Sequence, residues 1–295
     1  MTVKSVIEAV REAMYEEMAR DERVFVLGED VGQRGGVFLA TQGFLEAFGE
    51  ERVIDTPLAE ASIAGIALGA ALKGLRPIAE IQFADFVWPT CNQLIGEAAR
   101  VCYGTNGVLY VPLVVRMPYG GGVHGGLYHS QSVELYFAHT PGLKVLCPAT
   151  PYDAKGLLKA AIRDDNPCLF LEHKRTYRLV RGEVSEEEYA LPIGAADVKR
   201  PGRDISLFTY GLMLHYCLEA AKELSKEGVE VEVVDLRTLK PLDKETILES
   251  ASRTGKVLIV HEDNLTYGVG AEVAAIIAQE AFEELDGPIM RLAGP

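Results

Sequence analysis

Long apolar runs are missing from this sequence: no window approaches the roughly 18 consecutive apolar residues of a membrane span. No basic region followed by an apolar stretch stands at Met1 to Glu8, so neither a membrane location nor export is expected. Positive charge is short as well. Against 43 acidic residues stand 29 basic ones, a formal net charge of −14, with no Lys/Arg run that could neutralise a phosphate backbone. Nucleic acid is therefore not an expected partner. Cysteine is sparse, and the five present (Cys91, Cys102, Cys147, Cys168 and Cys217) form no C-x-x-C pair. Odd in number and set mostly in apolar runs, they read as reduced, buried thiols in a cytoplasmic setting. Zinc signatures are absent, Gly255-Lys256 lacks the upstream glycine of a P-loop, and Gly268-Val269-Gly270 lacks the third glycine of a dinucleotide loop.

What is present is length and rhythm. A chain of 295 residues, 48% hydrophobic, can build two cores. Thr2 or Ser5 can cap a first helix, Glu8 completes a capping box with Ser5, and Val6, Val10, Met14 and Met18 recur every four residues. Short apolar runs then read as buried strands: Val24 to Leu27, Pro77 to Phe83, Leu113 to Met117, Leu143 to Cys147 and Cys168 to Leu171. Helical patterns separate most of them, which predicts an α/β fold with a doubly wound, mostly parallel sheet. The stretch from His173 to Arg203 breaks the rhythm with two prolines and the acidic run Glu186 to Glu188. Beyond it, strands at Ile205 to Thr209, Val229 to Val234, Val257 to Val260 and near Ile289 alternate with helices Leu212 to Lys226, Lys244 to Ser252 and Val269 to Phe282. Two domains are expected, 1–185 and a smaller 204–295, joined by a linker at 186–203.

Three segments carry chemical groups. Asp55-Thr56-Pro57-Leu58-Ala59-Glu60 puts a carboxylate at the start of a helix, Ala61 to Leu72, whose small residues include Gly65 and Gly69. A helix dipole favours an acid there, and the small face admits close approach of another helix. Ala79-Glu80-Ile81-Gln82-Phe83-Ala84-Asp85-Phe86 leaves a buried strand for a loop, and strand ends in such sheets are where ligands bind. Tyr119 to Ser132 packs five glycines into seven residues and closes on His129-Ser130-Gln131-Ser132. So much glycine raises the entropic cost of folding, which points to a backbone constraint or a close ligand approach. His129 reads either as a cap for the next helix or as a functional imidazole.

Six motifs in this order form a pattern: G-E-D-V-G at Gly28 to Gly32, D-T-P-L-x-E, E-I-Q-F-A-D-F, the glycine loop with H-S-Q-S, T-P-Y-D-A-K-G-L-L at Thr150 to Leu158, and D-L-R-T-L-x-P at Asp235 to Pro241. The chain resembles, over nearly its whole length, the beta subunits of pyruvate, branched-chain 2-oxo acid and acetoin dehydrogenases. That resemblance implies a thiamine-pyrimidine-binding domain followed by a transketolase C-terminal-like domain. It also implies oxidative decarboxylation of a 2-oxo acid, with acyl transfer to lipoamide. The active site would be shared with an alpha subunit in an alpha2-beta2 assembly, served by a dihydrolipoyl acyltransferase core and its lipoyl domain. In this family the alpha subunit holds the diphosphate of thiamine diphosphate and its magnesium, which accounts for the absence here of a Gly-Asp-Gly motif with a downstream Asn-Asn.

By position, Glu60 resembles the glutamate that bonds the aminopyrimidine ring, Phe86 the aromatic packed on that ring, and His129 the histidine facing the thiazolium. Gln82 is expected to line the same pocket. Leu113, Ala161, Ile162, Asp164 and Asn166 resemble a structural potassium site built mostly of backbone carbonyls, although Asp and Asn at a helix end also suit a plain turn. Family members usually continue further past the strand at Ile289, leaving two readings, a shortened chain or a naturally short tail. Docking on the acyltransferase core is the role this ending bears on. The rival functions are a catalytically silent partner of an alpha-like subunit and an acetoin-cleaving relative. Glu60, Phe86 and His129 together argue against silence, and a self-sufficient transketolase would need the missing diphosphate motif.

Overall fold

Ser5 does cap the first helix, Val6–Arg20, in the computed structural model, which describes all 295 residues. Its backbone N–H donates to Glu8 Oε2 at 2.7 Å while its Oγ accepts from the Glu8 N–H at 3.4 Å, the reciprocal box that the spacing predicts. Thr2 is not a cap. It opens a strand, Thr2–Ser5, paired antiparallel with Arg181–Val184. The chain forms two units, Met1–Ile193 and Gly194–Pro295, so the stretch 186–203 is divided between them.

In the first unit six parallel strands lie in the order Lys144–Leu146, Cys168–His173, Val114–Tyr119, Arg76–Glu80, Val24–Gly28, Val53–Asp55. The expected run Pro77 to Phe83 leaves the ladder after Glu80. Conversely, the run from Leu113 extends to Tyr119 because Pro118 and Tyr119 still face Glu172 and His173 in register. Side chains alternate across a strand. Val24, Val26, Ile78, Val114, Cys168 and Phe170 accordingly share one core with Val10, Met14 and Met18 of the first helix and with Leu157, Leu158 and Ile162 of helix Pro151–Arg163. Met14 is fully buried there, and trimming it to alanine would cost about 2–5 kcal/mol. Helix Glu60–Leu72 packs against the strands as well.

Charge also enters the seam between helices Val6–Arg20 and Pro151–Arg163. Buried Lys155 and Lys159 each reach Glu16, at 2.8 and 2.6 Å, and Arg163 reaches Glu17 at 2.5 Å. Buried lysines need such partners.

The second unit has strands in the order Met290–Gly294, Val257–Asn264, Ile205–Thr209, Val231–Asp235, Asp197–Arg200, parallel except for the last. Its helices Met213–Lys226, Lys244–Thr254 and Val269–Glu280 follow the expected alternation. No helix in the chain is long and apolar enough to cross a membrane. All five cysteines are free, with Cys147, Cys168 and Cys217 buried and Cys91 and Cys102 half-exposed on the helical segment after Thr90.

Candidate active site at the carboxyl ends of the first sheet

Strands Val24–Gly28 and Arg76–Glu80 are neighbours, yet the strand between them in sequence, Val53–Asp55, lies on the far side of the first. The chain thus leaves Val24–Gly28 in one direction and later continues in the other. Such a reversal opens a crevice at the carboxyl ends of the strands, where ligands of open α/β sheets bind. Glu29 and Asp30 follow one strand, and Gln82 follows the other. The Gln82 amide reaches toward the Glu29 carbonyl at 3.4 Å and Asp30 Oδ2 at 3.5 Å.

Glu60 is the first residue of helix Glu60–Leu72, five positions beyond the strand Val53–Asp55, and is half-buried. Its charge acts on Glu29, which the sequence motif G-E-D-V-G contains without revealing its role. Burial first, and then the Glu60 and Asp30 carboxylates, push Glu29 above the usual carboxylate range. The partly buried Glu29 carboxyl is thus harder to ionise than an exposed one.

Beyond Gln82 the chain turns through the short 3-10 segment Ala84–Phe86. Phe86 and Phe83 flank His129 edge-on, with ring centroids 5.5 and 4.6 Å from the imidazole. His129 arrives on the glycine loop after strand Val114–Tyr119 and contacts the Gly125 carbonyl through Nδ1 at 3.1 Å. At the base of that loop Gly120 has φ 81°, and a side chain there would lie 2.1 Å from His173 Nε2, so glycine is required. Phe86 and His129 are therefore brought together, with Phe83 as the third ring.

Beneath the crevice lies an ionic floor that the sequence reading did not include. Arg116, fully buried in its strand, donates to both oxygens of Glu172 at 2.8 and 2.5 Å and pairs with Glu80. Tyr177 Oη donates to Glu172 at 2.6 Å. Burial pushes Glu80 above the ordinary carboxylate range, against the pull of Arg116. In the sequence, Arg116 interrupts an apolar strand run and Glu80 opens the motif E-I-Q-F-A-D-F, but neither names its partner.

The five residues of the expected cation site converge on the turn after helix Pro151–Arg163, where their oxygens already have donors. Arg76 Nη1 donates to the carbonyls of Ile162 at 2.9 Å and Asp164 at 3.0 Å. The Cys168 N–H donates to the Leu113 carbonyl at 2.9 Å, and Lys144 sits on the Asp164 carboxylate. Asn166 donates its own N–H to Asp164 Oδ1 at 2.8 Å. Nowhere is a group of three or more His, Cys, Asp or Glu side chains placed to hold a metal ion.

Residues 3–180 match the family described as transketolase, pyrimidine binding domain, and residues 194–295 match transketolase, C-terminal domain. The chain is 62% identical over 295 residues to the 2-oxoisovalerate dehydrogenase subunit beta of Bacillus subtilis (strain 168), spanning 100% of this chain and 90% of that one. To the pyruvate dehydrogenase E1 component subunit beta of the same organism it is 49% identical over 295 residues, spanning 100% and 91%. Among solved structures, a split-gene transketolase described as an inactive beta4 tetramer superposes with a TM-score of 0.79 at 24% identity, over 98% of this chain and 88% of that one, which shows a common fold.

Proposed function

Because the chain belongs to the transketolase-like beta subunits of 2-oxo acid dehydrogenases, we propose that it completes an alpha2-beta2 decarboxylase for a branched-chain 2-oxo acid. The identity of 62% to a 2-oxoisovalerate subunit, against 49% to a pyruvate subunit, supports that substrate class. The observation that supports the proposal is that Glu60, at a helix start, and Gln82, Phe86 and His129, on connecting segments, all follow the carboxyl ends of three parallel strands of one sheet. Thiamine diphosphate would lie with its pyrimidine against this chain, and its diphosphate and magnesium would be held by an alpha subunit. When bound, the cofactor supplies a thiazolium carbon that adds to the 2-oxo group and takes up the electrons left as carbon dioxide departs.

The residues here fit the pyrimidine half of that group. Glu60 would hold a proton at a ring nitrogen, which favours the imino form of the aminopyrimidine. Phe86, backed by Phe83, offers an apolar face to the ring and keeps water out. His129 would supply a proton to lipoamide: as the dithiolane S–S bond opens, one sulfur takes the acyl group and the other takes the proton. Helix Glu60–Leu72 supports a subunit interface, since Gly65 and Gly69 allow close approach while Leu58 and Ile66 stand 76% and 56% exposed. The lipoyl domain and the acyltransferase core are the further partners, and five free thiols fit a cytoplasmic enzyme.

A potassium ion at the turn after helix Pro151–Arg163 would share the Ile162 and Asp164 carbonyls with the Arg76 guanidinium, beside the Lys144 ammonium, so weak binding is expected there. The guanidinium supplies the positive charge there.

Calorimetry tests the shared site. The chain alone should bind thiamine diphosphate weakly, and addition of an alpha subunit should produce tight, magnesium-dependent binding. Tight binding by the chain alone would overturn the half-site.

A further inference from the structure

His129 hangs on a loop whose tip, residues 122–128, is exposed. Within the loop the His129 N–H donates to the Gly126 carbonyl at 3.2 Å and Ser130 Oγ donates to the same carbonyl at 2.7 Å. These bonds shape the loop but do not fix it to the sheet. At its base the Gly120 N–H donates to the Gln131 carbonyl at 2.9 Å. Directly after His129, the N–H groups of Ser130 and Gln131 both donate to one oxygen, Asp85 Oδ1, each at 3.0 Å.

Asp85 is 6% exposed and sits between the two aromatic residues that flank the imidazole, Phe83 and Phe86. Lys174 supplies the opposite charge, with Nζ 4.0 Å from Asp85 Oδ2 and 5.5 Å above the Phe83 ring. A carboxylate accepting two backbone N–H groups is a strong, directional clamp. It joins the two segments that must agree for the imidazole to stay between its rings.

We propose that Asp85 is the positioning residue of His129: by accepting the Ser130 and Gln131 N–H groups it holds the imidazole where a proton can reach the lipoyl sulfur. This rests on the role of His129 proposed above. Acid–base groups lose efficiency steeply when displaced, about a hundredfold for a shift of 1 Å. Asp85 touches neither cofactor nor substrate in this scheme, so its loss should act on the transfer step through the loop.

The test uses Asp85→Ala and Asp85→Asn in the alpha2-beta2 enzyme, with decarboxylation followed by an artificial electron acceptor and acylation followed on a lipoyl domain. Asp85→Ala should lower kcat for lipoyl acylation roughly tenfold to a hundredfold with KM for the lipoyl domain little changed, and lower decarboxylation much less. Asp85→Asn keeps a carbonyl oxygen for the same two donors and should recover most of the lost acylation. Acylation at the wild-type kcat in Asp85→Ala, or equal loss in both assays, would overturn the proposal. So would an Asn variant as poor as Ala. Should the alanine variant fail to fold, amide hydrogen exchange on the wild-type enzyme still decides. The Ser130 and Gln131 amides should exchange at least about tenfold more slowly than those of residues 122–128, and equal rates would refute the clamp. His129→Ala run alongside separates the two claims: normal acylation there removes the role of His129, whereas the exchange rates report on Asp85 regardless.

Discussion

Glu60 and His129 reach the same edge of one sheet on opposite kinds of support. Glu60 begins a helix of 13 residues that packs on the strands beneath it, so its backbone is fixed by helix geometry. His129 ends a glycine-rich loop with an exposed tip, held at its base by Gly120 and beside the imidazole by Asp85. A proton that must be held against a ring needs constant geometry, which a helix start provides. A proton delivered to a group arriving from another protein needs a support that admits the visitor. In the proposed scheme the difference would divide the two proton steps between a rigid carrier and a tethered one.

Removing the rigid carrier should have the largest effect. Glu60→Gln in the assembled enzyme is expected to slow both decarboxylation and exchange of the thiazolium proton by roughly 10²–10⁴-fold. Proton exchange at the wild-type rate, followed by NMR, would take Glu60 out of this role and leave the comparison without one arm. His129→Ala should come next, cutting lipoyl acylation about a hundredfold while sparing much of the decarboxylation seen with an artificial acceptor. Equal losses in the two assays would instead assign His129 to cofactor activation and erase the division.

A subtler change sharpens the same contrast without touching either group. A side chain at Gly125 would come within 2.5 Å of the His129 Cβ, so Gly125→Ala must shift the loop. Acylation should fall about tenfold with decarboxylation unchanged. A matching fall in decarboxylation would mean that the loop also serves the ring held by Glu60. The smallest effect is expected from potassium. An ion bound at a hundred times its Kd would add about 2.7 kcal/mol to stability, worth several degrees in Tm. Melting in potassium chloride and in choline chloride at equal ionic strength should coincide, and a potassium-specific rise would return an ion to the turn at Asp164.

What the sequence made legible follows physical lines. Buried strands announce themselves as apolar runs, so Ile205–Thr209 was read to the residue. The capping box at Ser5 and Glu8 has a fixed spacing, and it too was legible. Arg116, Glu80 and Glu172 were not, because a charge inside a strand reads as an exposed position until a partner from another strand is brought beside it. The same holds for Arg76, whose acceptors include backbone oxygens 86 and 88 residues away and the Asp165 carboxylate. Asp85 was quoted as part of a motif, yet nothing in the string of letters says that it grips two N–H groups 45 and 46 residues downstream. Glu60, Phe86 and His129 stood out through motifs, whereas Phe83, in the same motif, gained a role only when its ring was seen against the imidazole.

Helix Glu60–Leu72 bears on how such a chain must be supplied as well as on what it does. It is apolar nearly all round, and Ile66 and Leu72 face solvent in the lone chain, with Leu58 exposed just before it. A helix of that kind belongs in an interior, and left open it is a surface on which copies of the chain stick to one another. Surplus of this subunit over its partner would therefore end in aggregate, so yield in a recombinant host should track the ratio in which the two subunits are made.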